Sequence, residues 1–389
     1  MTLVPAPQSA PARQVAPVPN WSVRVPALDG LRGIAILLVL LWHAVFSMEA
    51  SSGFLAKLLA AGLLTWSGVD LFFVLSGFLI GGILLDARAS PRYFQTFYVR
   101  RAYRIFPLYF AVIVLFLVHH LPFRLLPGHF GDVTPMSIPW WSYATLTQNF
   151  WMARQGDFGP VAVAATWSLA VEEQFYLTMP LLVRLIRPKR LLHVVLAVAV
   201  AAPLLRVLLR HVLPNGAYAC YVLMPCRADA LCLGVLSAMM VWSERGWNLL
   251  LEKRKVLYGL TAVLFGGVVL MTYSGYDGAS MPMTTFGYSV LALFYAGCLL
   301  IAVSTSAAGP GALRNPALMN LGTLAYCAYL LHVPMIEASR RLLELLHFSR
   351  GPAWLPGGLL GVAVTLAIAK LSWKYFEKPL LRRGHRYVY

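Results

Sequence analysis

Apolar runs of about 20 residues, each bounded by charge, Pro or Gly, recur along the chain, and that length matches the roughly 30 Å hydrocarbon core of a bilayer. They lie near residues 31–47, 66–86, 105–121, 167–186, 191–210, 227–243, 256–273, 286–304, 318–338 and 355–377. The expected fold is therefore an all-α integral membrane protein, a polytopic bundle of about ten transmembrane helices. Composition agrees: the 389 residues are 59% hydrophobic and 12% charged, with mean hydropathy +0.69, against the roughly 25% charged residues of soluble domains. No internal repeat is visible, which gives no support to the inverted halves common among transporters.

Lys and Arg outnumber Asp and Glu by 32 to 15. The basic residues cluster at the ends of apolar runs, a positive-inside distribution that argues against a nucleic-acid groove. Arg88, Arg92, Arg100, Arg101 and Arg104 follow the second run, Arg184, Arg187, Lys189 and Arg190 the fourth, and Arg245, Lys253, Arg254 and Lys255 the sixth. With the basic C-terminal stretch they predict a multi-pass protein of the cytoplasmic membrane with both termini inside; Arg206, Arg210, Arg340 and Arg341 run against that pattern. Residues 1–24, rich in Pro, Ala and Val, read as a disordered cytoplasmic tail, residues 25–383 as the membrane domain and 384–389 as a short cytoplasmic tail. The segment 122–165, with Trp140, Trp141, Tyr143 and Trp151, is then external, as an interfacial aromatic belt or a cover over a site. Five cysteines without a C-x-x-C pair indicate neither a disulfide framework nor a zinc knuckle, and a Cys220–Cys226 bridge in an outer loop has little support.

The first run, Leu28 to Ala44, carries an arginine at its start and a histidine deep inside. Arg32 and His43 are eleven residues apart, three α-helical turns plus about 20°, so they share one face about 16 Å apart. His43 then lies past the midplane of the bilayer. Asp70 and Glu172, early in helices that run inward, and His332, about 14 residues along a helix that runs outward, are expected at a similar depth. Two carboxylates and two imidazoles in hydrocarbon point to a shared hydrated cavity. An imidazole beside a carboxylate makes a general base near neutral pH, which predicts His43 oriented by Glu172 or Asp70. No G-x-S-x-G elbow, H-E-x-x-H pair or P-loop occurs. The four polar residues, on four helices without ligand spacing, give no reason to expect a metal.

The stretch FYVRRAYRIFP sets Arg100, Arg101 and Arg104 at the inner mouth of the third run. One reading is a topology anchor. The other is a phosphate clamp, because guanidinium forks match phosphate oxygens and Arg32 lies at the same membrane face.

Several blocks together resemble the acyltransferase 3 family of integral membrane O-acyltransferases, bacterial enzymes that acylate surface glycans and related hydroxylated acceptors. They are LDGLRGIA with the downstream His43, GVDLFFVLSGFLI at 68–80, RRAYRIFPLY at 100–109 and WSLAVEEQFYL at 167–177, followed by RADALCLGVL at 227–236, LGTLAYCAYLLHVP at 321–334 and YFEKPL at 375–380. The resemblance implies about ten transmembrane helices, an acyl-coenzyme A donor, usually acetyl, no permanently bound cofactor, and the histidine of the Arg-x10-His pair, His43, as the essential residue. Glu172 fits the family's W-S-L-x-V-E pattern, whereas Glu173 falls where the family varies. Some relatives carry a hydrolase-like domain after the membrane domain; the blocks matched here do not extend to it, so the resemblance implies no second step of the kind those relatives perform.

The expected function is acyl transfer from acyl-coenzyme A to a hydroxyl of a glycan or other hydroxylated acceptor. Arg32, Arg100, Arg101 and Arg104 would bind the donor's phosphates. His43, supported by Glu172, would deprotonate the acceptor or carry the acyl group in passing. Asp70 would orient His43 or cap its own helix; His332 would bind the acceptor or stabilise the developing oxyanion, with Tyr176 also on the acceptor's side. Arg227 and Asp229 read as a structural ion pair. The competing function is a transporter or flippase of a lipid-linked saccharide, which also needs intramembrane polar residues and a basic mouth. A scaffold, with polar positions serving helix association alone, leaves the Arg32/His43 register unexplained.

Overall fold

The computed structural model describes residues 25–46, 62, 64–125, 137–306, 311–347 and 350–389. The tail expected at 1–24 lies outside them, as do residues 126–136 of the expected external segment. Ten principal helices run through the described residues, with no strand among them: α1 Pro26–Leu41, α2 Gly68–Asp86, α3 Tyr93–Leu125, α4 Trp167–Leu185, α5 Pro188–Val212, α6 Met224–Trp242, α7 Arg254–Tyr273, α8 Tyr288–Ser306, α9 Pro316–Leu345 and α10 Arg350–Ser372. Each overlaps one of the apolar runs. Among the described residues, nine helical segments are long and apolar enough to cross a bilayer. The other expected span is α4, whose 19 residues include Glu172, Glu173 and Arg184 and so fall short on hydropathy.

Local sequence sets the helix starts. Pro26, Pro188 and Pro316 stand in the first turns of α1, α5 and α9, where a missing N–H costs nothing, and the Asn315 side chain accepts the Ala317 N–H at 2.8 Å. Helix α3 begins at Tyr93, well before the expected residue 105, because Tyr93 and Phe97 pack in the core and carry the helix through the arginine cluster. The described part of the external segment folds onto the bundle as the short helices Trp140–Ala144 and Gln148–Gln155. Buried Asn149 donates from Nδ2 to the Val222 carbonyl at 3.1 Å, while Trp140 and Trp141 stay exposed.

Packing makes α2 and α6 the centre. Of their most apolar stretches 78% and 67% of residues are buried, against 11% for α7. The two helices meet at backbone distance: a Cβ on Gly77 would lie 1.9 Å from the Leu231 carbonyl oxygen, and one on Gly234 would lie 2.2 Å from that of Val74. Small residues at such a crossing are how helices associate where no hydrophobic effect separates protein from lipid tails. Helix α1 packs on α9 and α2, and α9 on α10.

Two buried ion pairs tie this centre to its neighbours. Asp70, in the first turn of α2, accepts from Arg227 Nη2 of α6, whose guanidinium lies 3.9 Å from the ring centroid of Tyr288 on α8. Arg206 of α5 donates to Asp229 of α6 at 2.9 Å, to the Cys226 carbonyl at 2.5 Å and to Ser289 Oγ at 2.7 Å. The expected Arg227–Asp229 pair is thus replaced by two pairs between helices, because neighbours two apart on one helix do not face each other. Cys220 and Cys226 are buried free thiols.

Removing one charge of such a pair leaves the other uncompensated in a low-dielectric site. Asp70→Asn or Arg227→Met should each lower stability by about 3–5 kcal/mol, and Asp70→Leu with Arg227→Met should recover most of the loss. Thermal unfolding of the purified, detergent-solubilised variants measures this; single losses that simply add in the double variant would show that the two charges do not depend on each other.

Candidate active site

The arginine cluster is helical, so its register follows from one helix alone: Arg100 and Arg101, with Arg104 one turn on along α3, line a cavity of about 760 Å³. Arg32, from the second turn of α1, lines the same cavity. All four expected donor-binding residues are therefore brought together. The acids around them are engaged: Asp29 accepts from Arg32 at 3.1 Å, Asp86 from Trp242 Nε1 at 2.6 Å and Glu377 from Ser372 at 2.9 Å. Arg101 Nε is buried without a hydrogen-bond partner among the described residues.

The C-terminal residues complete this end of the cavity. Arg100 Nε donates to the Tyr387 carbonyl at 2.8 Å, its guanidinium lies 5.1 Å from the Tyr389 ring centroid, and both Tyr389 and His385 line the cavity wall. Partial burial, then Arg100, Arg101 and Arg104, lower the His385 pKa from its ordinary value. In the sequence 384–389 reads as a short tail, and only the adjacent YFEKPL block hints that His385 and Tyr389 border the cavity.

Glu172 and Tyr176, one turn apart on α4, line the cavity further from the arginines' mouth. Tyr176 Oη lies 2.7 Å from Ser76 Oγ of α2 and donates to Glu172 Oε2 at 3.3 Å. Glu173 points elsewhere, into a separate cavity of about 270 Å³ that it shares with Arg101 and Tyr176. The deep end of the main cavity is walled by Phe72 and Tyr329, whose rings meet edge to face with centroids 6.1 Å apart. Tyr329 is fixed by its hydroxyl, 2.6 Å from Ser168 Oγ at the start of α4.

The two imidazoles lie behind that wall. His332 is buried on α9, with its ring centroid 5.5 Å from that of Tyr329 and 4.6 Å from that of His43. His43 itself is not on regular α-helix: α1 passes into a π-helical turn, Trp42–Phe46, at just this point. The 100° step behind the shared Arg32/His43 face therefore stops at residue 41. Such turns are rare and gather at functional sites. Arg340 of α9 steadies the turn, donating from Nη2 to the His43 carbonyl at 2.9 Å and the Ala44 carbonyl at 3.3 Å while its guanidinium stacks 3.6 Å from the Trp354 ring centroid.

The expected single layer of two carboxylates and two imidazoles is thus divided. Asp70 is held by Arg227 rather than turned to His43. Glu172, one turn beyond Ser168 on α4, lines the cavity with the arginines, whereas His332, three residues beyond Tyr329 on α9, and His43 are not among its lining residues. The physical reason is that depth along a helix follows from counting residues, whereas the neighbour at that depth depends on rotation about each helix axis. Arg340 was legible only as a charge on the unexpected side. No group of three or more potential metal ligands occurs among the described residues.

The acyltransferase 3 family model, described as an acyltransferase domain, matches residues 25–372. The chain is 29% identical over 377 residues to the peptidoglycan O-acetyltransferase OatA of Listeria monocytogenes, covering 92% of this chain and 56% of that protein. It is also 29% identical over 378 residues to the putative peptidoglycan O-acetyltransferase YrhL of Bacillus subtilis, covering 93% and 56%. The O-acetyltransferase OatA of Staphylococcus aureus is 25% identical over 375 residues, covering 93% and 58%. This chain therefore spans little more than half the length of the curated relatives it matches. No solved structure matches it significantly. With the family's model running through all ten helices, from the start of α1 to the end of α10, the chain belongs to the acyltransferase 3 family.

Proposed function

We propose that this protein moves an acyl group, acetyl by likeness to its relatives, from acyl-coenzyme A to a hydroxyl of a cell-envelope glycan across the bacterial cytoplasmic membrane. The observation that carries the reading is the continuity of one path: four arginines share a cavity whose deep wall, Tyr329, touches His332, which touches His43. Guanidinium forks suit the phosphates of a coenzyme A donor. The donor's arm extends past Ser76, Glu172 and Tyr176 towards Phe72 and Tyr329, and displacement of those two rings admits the thioester to His43. Arg32 and His43 are about 16 Å apart along α1, a span that such an arm bridges. The coenzyme then stays on the arginine side, taken as cytoplasmic together with both termini, while only the acyl group reaches the far side.

At the far end His43 acts as general base. It takes the acceptor's hydroxyl proton as the oxygen attacks the thioester carbonyl, and returns it to the departing thiolate. Glu172, on this reading, serves the cavity and not the imidazole: with Tyr176 and Ser76 it forms a hydrogen-bonded cluster along the donor's arm.

His43→Gln should lower acyl transfer by about 10²–10⁴-fold with the protein still accumulating in the membrane. Purified enzyme at saturating donor measures this, and activity within a few-fold of the parent would remove His43 from the chemistry. Arg101→Ala and Arg104→Ala should raise the KM for acyl-coenzyme A much more than that for the acceptor, with Lys restoring part of the loss because it lacks the planar fork. An unchanged donor KM in both would leave the cluster as a topology anchor. In inverted vesicles, acyl-coenzyme A added to the exposed face should acylate an acceptor held in the lumen; acylation only when both substrates share the cytoplasmic side would refute transfer across the membrane.

A further inference from the structure

Arg206, Arg227 and Arg340 are buried arginines, and the first two each meet an aspartate. Arg340 does not. Among the described residues its hydrogen-bond acceptors are all main-chain carbonyls: those of His43 and Ala44, at 2.9 and 3.3 Å from Nη2, and that of Trp354, at 3.4 Å from Nε. Its guanidinium is held against the Trp354 ring, 3.6 Å from the centroid. A cation buried on neutral partners is costly, and in a membrane domain such a residue points to function before architecture.

The π-helical turn that Arg340 grips is also pressed from α10. A Cβ on Gly358 would lie 2.3 Å from the Ala44 carbonyl oxygen, so α10 and the turn are in backbone contact. Trp354 and Gly358 are four residues apart on α10 and share a face, so one helix both backs the guanidinium and abuts the turn. Helix α10 is itself seated closely on α9, where a Cβ on Gly357 would lie 2.9 Å from Arg340 Cα and one on Gly361 would lie 2.4 Å from Ile336 Cα. The His43 ring hangs on this turn, with Nδ1 donating to the Val39 carbonyl at 2.9 Å.

We propose that Arg340 is a positioning residue for acyl transfer: through the His43 and Ala44 carbonyls, and against α10 at Gly358, it sets where the π-helical turn holds the His43 ring. This rests on His43 as the general base. Bonds from a guanidinium to carbonyl oxygens are charge-assisted, about twice as strong as neutral ones. Two successive carbonyls held by one nitrogen leave the turn little freedom to rotate about the α1 axis. Arg340 takes no part in the bonds that form and break; it acts through the backbone of His43, and a displacement of about 1 Å in a reacting group can cost about 10²-fold in rate.

The test is steady-state kinetics of purified, detergent-solubilised enzyme, with rates taken per monodisperse protein. Arg340→Met keeps the bulk and removes the donors, Arg340→Lys keeps the charge and a donor, and Gly358→Ala leaves Arg340 in place but presses on the Ala44 carbonyl. Arg340→Met should lower kcat tenfold or more with both KM values within about twofold, and Arg340→Lys should recover part of the loss. Gly358→Ala should lower kcat with the same unchanged KM values, because it displaces the turn without altering the cation. A parental kcat in Arg340→Met, or a rise confined to the acceptor KM, would overturn the proposal. So would a loss in Arg340→Met beside a parental kcat in Gly358→Ala, since the charge and not the position would then be the cause. Should Arg340→Met fail to accumulate, Gly358→Ala decides by the same criterion. If His43→Gln is inactive while the Arg340 and Gly358 variants keep the parental kcat, only the positioning fails; if His43→Gln remains active, the base itself is misassigned.

Discussion

A charge inside a bilayer must find its counter-charge within the protein, and the ion pairs Asp70–Arg227 and Arg206–Asp229 meet that demand at the centre of the fold. Between them they engage α2, α5, α6 and, through Tyr288 and Ser289, α8. Each helix so joined loses freedom to rotate or slide. Because α2 also carries Ser76 less than two turns beyond Asp70, fixing that helix fixes the hydrogen-bond cluster with Tyr176 and Glu172 on α4. The close crossing at Gly77 and Gly234 acts in the same direction, since backbones in contact tolerate little relative motion.

The site hung on this frame has two compartments with different chemistry. The arginine side is roomy, carries four arginines and is closed in part by the chain's own C-terminal residues, as suits a large anionic ligand. The imidazole side is tight and built from rings and backbone carbonyls. Tyr329 belongs to both: its phenol is tied to α4, its ring walls the cavity, and its carbonyl takes the Nδ1 proton of His332.

The π-helical turn at Trp42–Phe46 has a similar double character. It interrupts the regular hydrogen bonding of α1, and the carbonyls of His43 and Ala44 are taken up by Arg340 from α9. The His43 ring is consequently set by contacts from two helices, α1 through the Val39 carbonyl and α9 through both Arg340 and His332. A side chain held from several directions is what a proton-transferring group needs.

What the sequence by itself determined is whatever one helix can encode. The long helices are written in the lengths of apolar runs and the charges between them, since burial in hydrocarbon acts on each segment separately. The cluster Arg100, Arg101 and Arg104 is legible for the same reason, its spacing being that of a single helix, and the first family block and its downstream histidine single out Arg32 and His43. Tertiary structure alone decided the partners. Asp70 meets Arg227 across 157 positions, Ser76 meets Tyr176 across 100, and Arg340 reaches the His43 carbonyl across 297. Residue counting gives each polar side chain its place along its own helix, but not a common layer with the others. Which of them touch depends on the rotation of each helix about its axis and on a π turn that no hydropathy pattern records, and these follow only from the joint packing of the helices.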